Sequence, residues 1–117
     1  MTLAVDSLFR ALANPIRLRC LLLLHNAGEL CVCELTHALG ASQPKISRHL
    51  AQLREADIVS DRRMGLWVYY RLHPQLPGWA QEILRATANS VGDQAPFITS
   101  QQALATMPNR PGADRCA

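Results

Sequence analysis

Two thiols one residue apart are the side chains in this sequence best suited to chemistry. Cys31 and Cys33 flank Val32 and open a short segment with helical character. Thiolates are soft ligands that select soft metal or metalloid ions. Side chains at positions i and i+2 of an α-helix do not face each other. We therefore predict that both thiols hold one ion only if this first helical turn is absent or opened.

Two other cysteines are candidates for a third ligand. Cys20 lies on the apolar stripe of the preceding helix, where core packing is the alternative interpretation, and Cys116 lies near the C-terminus, where it could be a spare thiol. Four cysteines without a signal-peptide pattern are typical of thiols kept reduced in a cytoplasm. We expect a cytoplasmic protein with no membrane partner, because no apolar run is long enough to span a bilayer.

The segment after the thiols is typical of a helix that reads DNA. Ser42 is suited to the N-cap and Pro44 to the first turn. Apolar residues at spacings of four and three, Ile46, Leu50 and Leu53, predict the buried face. The opposite face carries the side chains that we expect to contact DNA, namely Gln43, Lys45, Ser47, Arg48 and His49. An ordinary solvated polar face is the alternative.

The pattern then changes to one typical of strands. Residues 66–72 alternate with a period of two, residues 58–62 are the expected partner strand, and Met64-Gly65 is the expected turn. Arg62 and Arg63 fall near the tip, where they could contact DNA. Helix, turn, helix and hairpin predict a mainly α fold with a β-hairpin, that is, a winged helix-turn-helix.

The rest of the chain is expected to supply scaffold and dimer contacts. Residues 1–92 are predicted to form one DNA-binding and dimerisation domain, with a last helix near residues 76–90. Periodicity is lost after residue 92, so residues 93–117 are predicted to be a flexible tail. The net charge is only +3, but eleven of the twelve Lys and Arg residues are Arg, which suits phosphate and guanine contacts.

Four segments, in this order, carry a resemblance to a known family. They are Leu30-Cys31-Val32-Cys33-Glu34-Leu35, Ser42-Gln43-Pro44-Lys45-Ile46-Ser47-Arg48-His49-Leu50, Leu53-Arg54-Glu55 and Gly65-Leu66-Trp67-Val68-Tyr69-Tyr70-Arg71-Leu72. Together they resemble the ArsR/SmtB winged-helix repressors, and specifically the arsenic-responsive ArsR branch. The resemblance implies a homodimer that binds double-stranded operator DNA and represses an arsenic-resistance operon. It implies no required cofactor, and release by As(III) or Sb(III) bound to Cys31 and Cys33.

One position departs from that family. Similar proteins often carry a third cysteine three residues after the second, and this chain has Thr36 there. The third ligand therefore stays open between Cys20 and Cys116. Divalent-metal sensors of the family place His ligands along the final helix, which contains no His in this sequence.

Two other functions remain open from the residues. The first is a repressor that senses oxidation through Cys31 and Cys33. The second is a small thiol oxidoreductase, although such enzymes typically show Cys-x-x-Cys near a βαβ pattern rather than Cys-x-Cys in a helical context. We do not expect an enzyme, because no carboxylate or Ser/His arrangement indicates another catalyst.

Overall fold

The computed structural model describes residues 2–110, which form six helices and three strands. In chain order the elements are α1 (Val5–Leu12), α2 (Pro15–Ala27), β1 (Glu29–Cys31), α3 (Val32–Leu39), α4 (Gln43–Glu55), β2 (Val59–Met64), β3 (Trp67–Leu72), α5 (Gly78–Val91) and α6 (Phe97–Ala105). The mainly α fold with a hairpin is confirmed. Within residues 2–110, every helix is too short or too polar to cross a bilayer.

Helix α2 is the centre of the core. It begins at Pro15, and the Asn14 side chain accepts hydrogen bonds from the backbone N–H groups of Ile16 and Arg17 at 2.9 and 3.1 Å. Residues 21–24 are four consecutive buried leucines, because helices and the sheet pack around α2 on several sides. Burying each leucine side chain contributes about 1.5–3 kcal/mol. The sequence predicted one buried stripe along this helix, whereas in the structure most of the circumference of α2 is buried at residues 20–24.

Helices α3 and α4 meet at the predicted turn. Gly40 ends α3 in the left-handed conformation, with φ +66°, which a residue lacking Cβ adopts without strain. The Ser42 hydroxyl accepts a hydrogen bond from the Lys45 N–H and caps α4. The predicted inward face is confirmed, since Ile46, Leu50 and Leu53 are all buried.

The sheet contains one strand more than the predicted hairpin. Its order is β1-β3-β2, with both pairs antiparallel. The hairpin turns at Gly65 and Leu66, one residue later than predicted, with Gly65 at φ +61°. Strand β1 is only three residues long, too short to show a period of two in the sequence. It ends at Cys31, which pairs with Tyr69 of β3.

The C-terminal segment is a correction to the predicted flexible tail. Residues 97–105 form helix α6, which packs against α3 and α2. Leu104 is buried there, and the buried Ser100 hydroxyl accepts hydrogen bonds from the Arg19 guanidinium at 2.8 and 3.2 Å. The sequence hides this helix because its apolar residues do not fall along one clear stripe. Residues 111–117, including the candidate ligand Cys116, lie outside the described residues.

Candidate thiol site and nucleic-acid interface

Cys31 and Cys33 lie at a junction between the sheet and helix α3. Cys31 is the last residue of β1 and the N-cap of α3, with extended backbone angles of φ −84° and ψ 164°. Cys33 is the second residue of the helix. Because Cys31 is extended, its side chain turns back towards the helix. The Cys33 thiol is close enough to raise the pKa of the Cys31 thiol. Cys31 precedes α3, so no helical turn contains both thiols, which is one of the two arrangements that the spacing predicted.

Glu34 fixes this junction. Its Oε1 accepts a hydrogen bond from the Cys31 N–H at 2.8 Å, and the Glu34 N–H donates to the Cys31 sulfur, which completes a reciprocal capping box. The other carboxylate oxygen accepts a hydrogen bond from Arg110 Nε at 2.5 Å. Glu34 is itself only 1% exposed. A buried ion pair therefore ties the segment after α6 to the thiol-bearing end of α3.

Burial controls the protonation of Cys31. The pKa of the Cys31 thiol is raised to about 12, chiefly by loss of solvent and then by the neighbouring Cys33 thiol, while the Glu34 N–H lowers it. Cys31 is therefore a neutral thiol at pH 7. Cys33 is partly exposed and gives the pair its contact with solvent. Binding a soft ion would replace the two thiol protons, and the N-terminal end of α3 favours the resulting negative charge.

The described residues do not supply the expected third ligand. Cys20 is fully buried in the core, and burial raises the pKa of its thiol to about 12. Among residues 2–110, no three His, Cys, Asp or Glu side chains are grouped so that they could hold a metal ion. Core packing, the alternative interpretation of Cys20, therefore fits the structure.

A cleft of about 640 Å³ opens beside Cys33. It lies between α3, the start of α4 and strand β3. Its walls combine polar side chains of the two helices with apolar and aromatic side chains of the hairpin; among the latter are Leu66, Trp67, Val68 and Tyr70. Thr36, one turn after Cys33, also lines the cleft, and its buried hydroxyl has no hydrogen-bond partner in the described structure.

The outer face of α4 carries most of the predicted DNA contacts. Gln43, Lys45 and Arg48 are exposed, Ser47 is partly exposed, and the Gln43 amide donates to the Ser47 hydroxyl at 3.3 Å. Gln43 and Ser47 also line the cleft beside Cys33. The cleft beside Cys33 and the exposed face of α4 therefore share one surface.

His49 does not lie on that face. It is 9% exposed, and Arg17 donates to its Nδ1 at 3.4 Å and to the Gln52 side chain at 2.8 Å. Burial, followed by the nearby charges of Arg17 and Arg48, lowers the pKa of His49. The prediction of a solvent-facing His49 is wrong. His49 lies between the exposed Arg48 and the buried Leu50 on α4, at the border of the two faces, and α2 covers it there. His49 packs α4 against α2 instead of facing DNA.

The two arginines near the hairpin tip have different surroundings. Arg62 forms two hydrogen bonds with Glu29 of β1, at 2.7 and 2.8 Å, and its guanidinium lies 5.0 Å from the centre of the Tyr69 ring. These hydrogen bonds lower the pKa of Glu29. Arg63 is exposed. Arg62 therefore joins the hairpin to the strand that ends at Cys31, whereas the structure describes Arg63 as exposed near the hairpin tip.

A helix, a glycine turn, a second helix with a basic outer face and a following hairpin define a winged helix-turn-helix DNA-binding domain. The family profile described as bacterial regulatory protein, arsR family, matches residues 14–61. The arsenic resistance transcriptional regulator ArsR1 of Pseudomonas putida is 54% identical over 103 residues, covering 88% of this chain and 79% of that protein. This chain therefore belongs to the arsR family, among its members named for arsenic resistance, and is a transcriptional regulator.

Solved structures of the same family share the fold. HlyU from Vibrio cholerae superposes with a TM-score of 0.65 at 32% identity, covering 72% of this chain and 87% of that one. The AntR antimony-specific transcriptional repressor superposes with a TM-score of 0.64 at 32% identity, covering 73% of this chain and 74% of that one. The predicted fold and family are thereby confirmed.

Proposed function

We propose that this protein is a homodimeric repressor of an arsenic-resistance operon, released from operator DNA by As(III) or Sb(III) held on Cys31 and Cys33. The observation that carries the proposal is that Cys31 ends β1 and Cys33 lies in the first turn of α3, close enough for Cys33 to raise the pKa of the Cys31 thiol. The names of the relatives support the metalloid: one is an arsenic resistance regulator and another an antimony-specific repressor.

The route from the thiols to DNA follows two connections. Cys31 pairs with Tyr69, and Glu29 of the same strand binds Arg62, so the thiol strand belongs to the sheet of the wing. Cys33 lies on α3, which packs on α4. An ion bound to both thiols would compete with the hydrogen bond that the Cys31 sulfur accepts from the Glu34 N–H, so we expect Cys31 to shift from its buried cap position. That shift changes the angle between the wing and the reading helix.

Exposed apolar side chains support a dimer. Val5 and Phe9 on α1 are 59% and 51% exposed, and Trp79 on α5 is 37% exposed. Both helices pack on α2 and leave these side chains to solvent. Large exposed apolar side chains on the outer faces of two helices are typical of an interaction surface. A second copy of the chain pairing through α1 and α5 would bury them and place two reading helices on one DNA.

The proposal is tested by operator binding with different effectors. Fluorescence anisotropy of a labelled operator should show release by arsenite or by trivalent antimony, little release by Zn(II), and retention of DNA in peroxide. Release by peroxide alone would instead support the redox-sensing repressor. Release by Zn(II) without a response to arsenite would contradict the thiol-pair site. Family membership already favours a regulator over the small thiol oxidoreductase.

A further inference from the structure

The valence of arsenic exceeds what the described thiol site provides. Trivalent arsenic forms three bonds, and Cys31 and Cys33 supply two sulfurs. No third ligand is grouped with them in residues 2–110, and Thr36 stands on α3 one turn after Cys33, where it presents a hydroxyl rather than a thiol. Within the described structure, the third substituent must therefore come with the effector.

We propose that the site takes trivalent arsenicals with one organic substituent, and that this substituent occupies the cleft beside Cys33. The inference rests on the proposed function, because it uses the same two thiols. An organic substituent fills the third valence without any protein ligand. The cleft volume of about 640 Å³ is in the range of small-molecule pockets and ample for a methyl or phenyl group.

The walls of the cleft suit an apolar group. Leu66, Trp67 and Val68 line it from the hairpin, and Tyr70 lies deeper on the same strand. Leu66 is 95% exposed, so its side chain is free to contact a group bound in the cleft. A substituent attached to arsenic at Cys33 would contact these side chains, and the removal of its apolar surface from water would stabilise the complex.

Bond formation at the site needs no oxidant or reductant. An arsenical of the form R–As(OH)2 reacts with the two thiols so that two As–S bonds form and two As–O bonds break. Each departing hydroxide takes one thiol proton and leaves as water. Arsenic stays trivalent throughout. Inorganic arsenite reacts in the same way but keeps one hydroxyl, which gains nothing from contact with the apolar hairpin wall of the cleft.

The same geometry links the substituent to DNA release. Gln43 and Ser47 at the start of α4 line the cleft opposite the hairpin. A substituent held there lies between the reading helix and the wing. A larger substituent should therefore release DNA more completely than arsenite at equal occupancy of the thiols.

The first test uses phenylarsine oxide and sodium arsenite as probes. Calorimetric titration of the full chain should show tighter binding of phenylarsine oxide. Val68→Trp fills the cleft and should weaken phenylarsine oxide binding about tenfold, which is about 1.4 kcal/mol, and leave arsenite binding unchanged. Met64→Trp is the matched control, because Met64 lies exposed on the same hairpin and outside the cleft lining. Equal loss of both probes, or no loss, would overturn the inference.

The second test restores a third thiol. Thr36→Cys should raise arsenite affinity by about 10²-fold or more, as an added intramolecular contact does, and leave phenylarsine oxide affinity unchanged because its arsenic has no valence left. If Cys116→Ser weakens arsenite binding as strongly as Cys31→Ser, Cys116 is the third ligand and the inference is wrong. Arsenite release of DNA with no preference for phenylarsine oxide would overturn this inference alone. Failure of both probes to bind Cys31 and Cys33 would instead overturn the proposed function.

Discussion

At the scale of single residues, Thr36 lies one turn after Cys33 and carries a polar group that costs the folded protein stability. Its buried hydroxyl has no hydrogen-bond partner in the described structure. An unsatisfied buried hydroxyl costs about 1–3 kcal/mol. Thr36→Val keeps the shape and removes that cost, so we expect urea denaturation to give a free energy of unfolding higher by about 1 kcal/mol.

A matched control for this variant is available on α5. The Thr87 hydroxyl donates a hydrogen bond to the Ile83 carbonyl oxygen at 2.7 Å, so its polar group is satisfied. Thr87→Val should therefore give no gain in stability. A loss of stability in Thr36→Val would show that the hydroxyl has a partner in the folded protein.

His49 predicts the acid dependence of stability. Burial lowers its pKa in the folded state, so the unfolded chain binds a proton more readily than the folded one. The free energy of unfolding should therefore fall as the pH drops below about 6.5, the ordinary value for His. His49→Gln should lessen this fall in denaturation curves measured between pH 7 and pH 5. His37→Gln is the control, because His37 is exposed; an equal effect of both variants would contradict the assignment.

The sequence predicted which residues belong to the candidate site better than it predicted whether their side chains are exposed or which partners they contact. Cys31, Cys33 and the exposed residues of α4 were found from chemistry and spacing, because thiols and arginines have few other uses in such a pattern. The burial of His49 and the pairing of Arg62 with Glu29 were not found. Both depend on contacts between elements distant in sequence, which local periodicity does not encode.

At the scale of elements, the helices of the reading motif were predictable and the two elements that flank the thiols were not. Ser42, Gly40 and the buried stripe of α4 give strong local signals. Strand β1 has three residues, and α6 has no clear apolar stripe, so neither has a pattern to detect. Yet β1 places Cys31 in the sheet, and α6 leads to the arginine that pairs with Glu34.

That pairing predicts a role for the C-terminal segment in stability. Arg110→Ala would leave the buried Glu34 carboxylate without this partner. We expect the free energy of unfolding to fall by about 2 kcal/mol, below the usual range for a broken buried pair because the Arg110 side chain is 30% exposed. Arg10→Ala removes an ion pair whose side chains are 71% and 73% exposed, so it should change stability little. Equal effects would contradict the importance of the Glu34 contact.

At the scale of the whole molecule, the proposed dimer would present two reading helices to one operator. A dimer paired through α1 and α5 predicts an inverted repeat with half-sites about 34–36 Å apart, one turn of DNA. Arg48 is exposed on α4. Arg48→Ala should weaken specific binding by about 1–3 kcal/mol if it contacts a base edge, with a smaller effect on unrelated DNA. Footprinting and competition with unrelated DNA measure both, and a single unpaired half-site would contradict the dimer.

The central claim, that Cys31 and Cys33 form the switch, is tested most directly by arsenite titration of the protein–operator complex. Cys31→Ser and Cys33→Ser should each bind operator normally and fail to release it. The wild type and Cys20→Ser should release it, with affinity falling about 5- to 150-fold, the range expected for a coupling of about 1–3 kcal/mol. Normal release from either Cys31→Ser or Cys33→Ser would contradict the account.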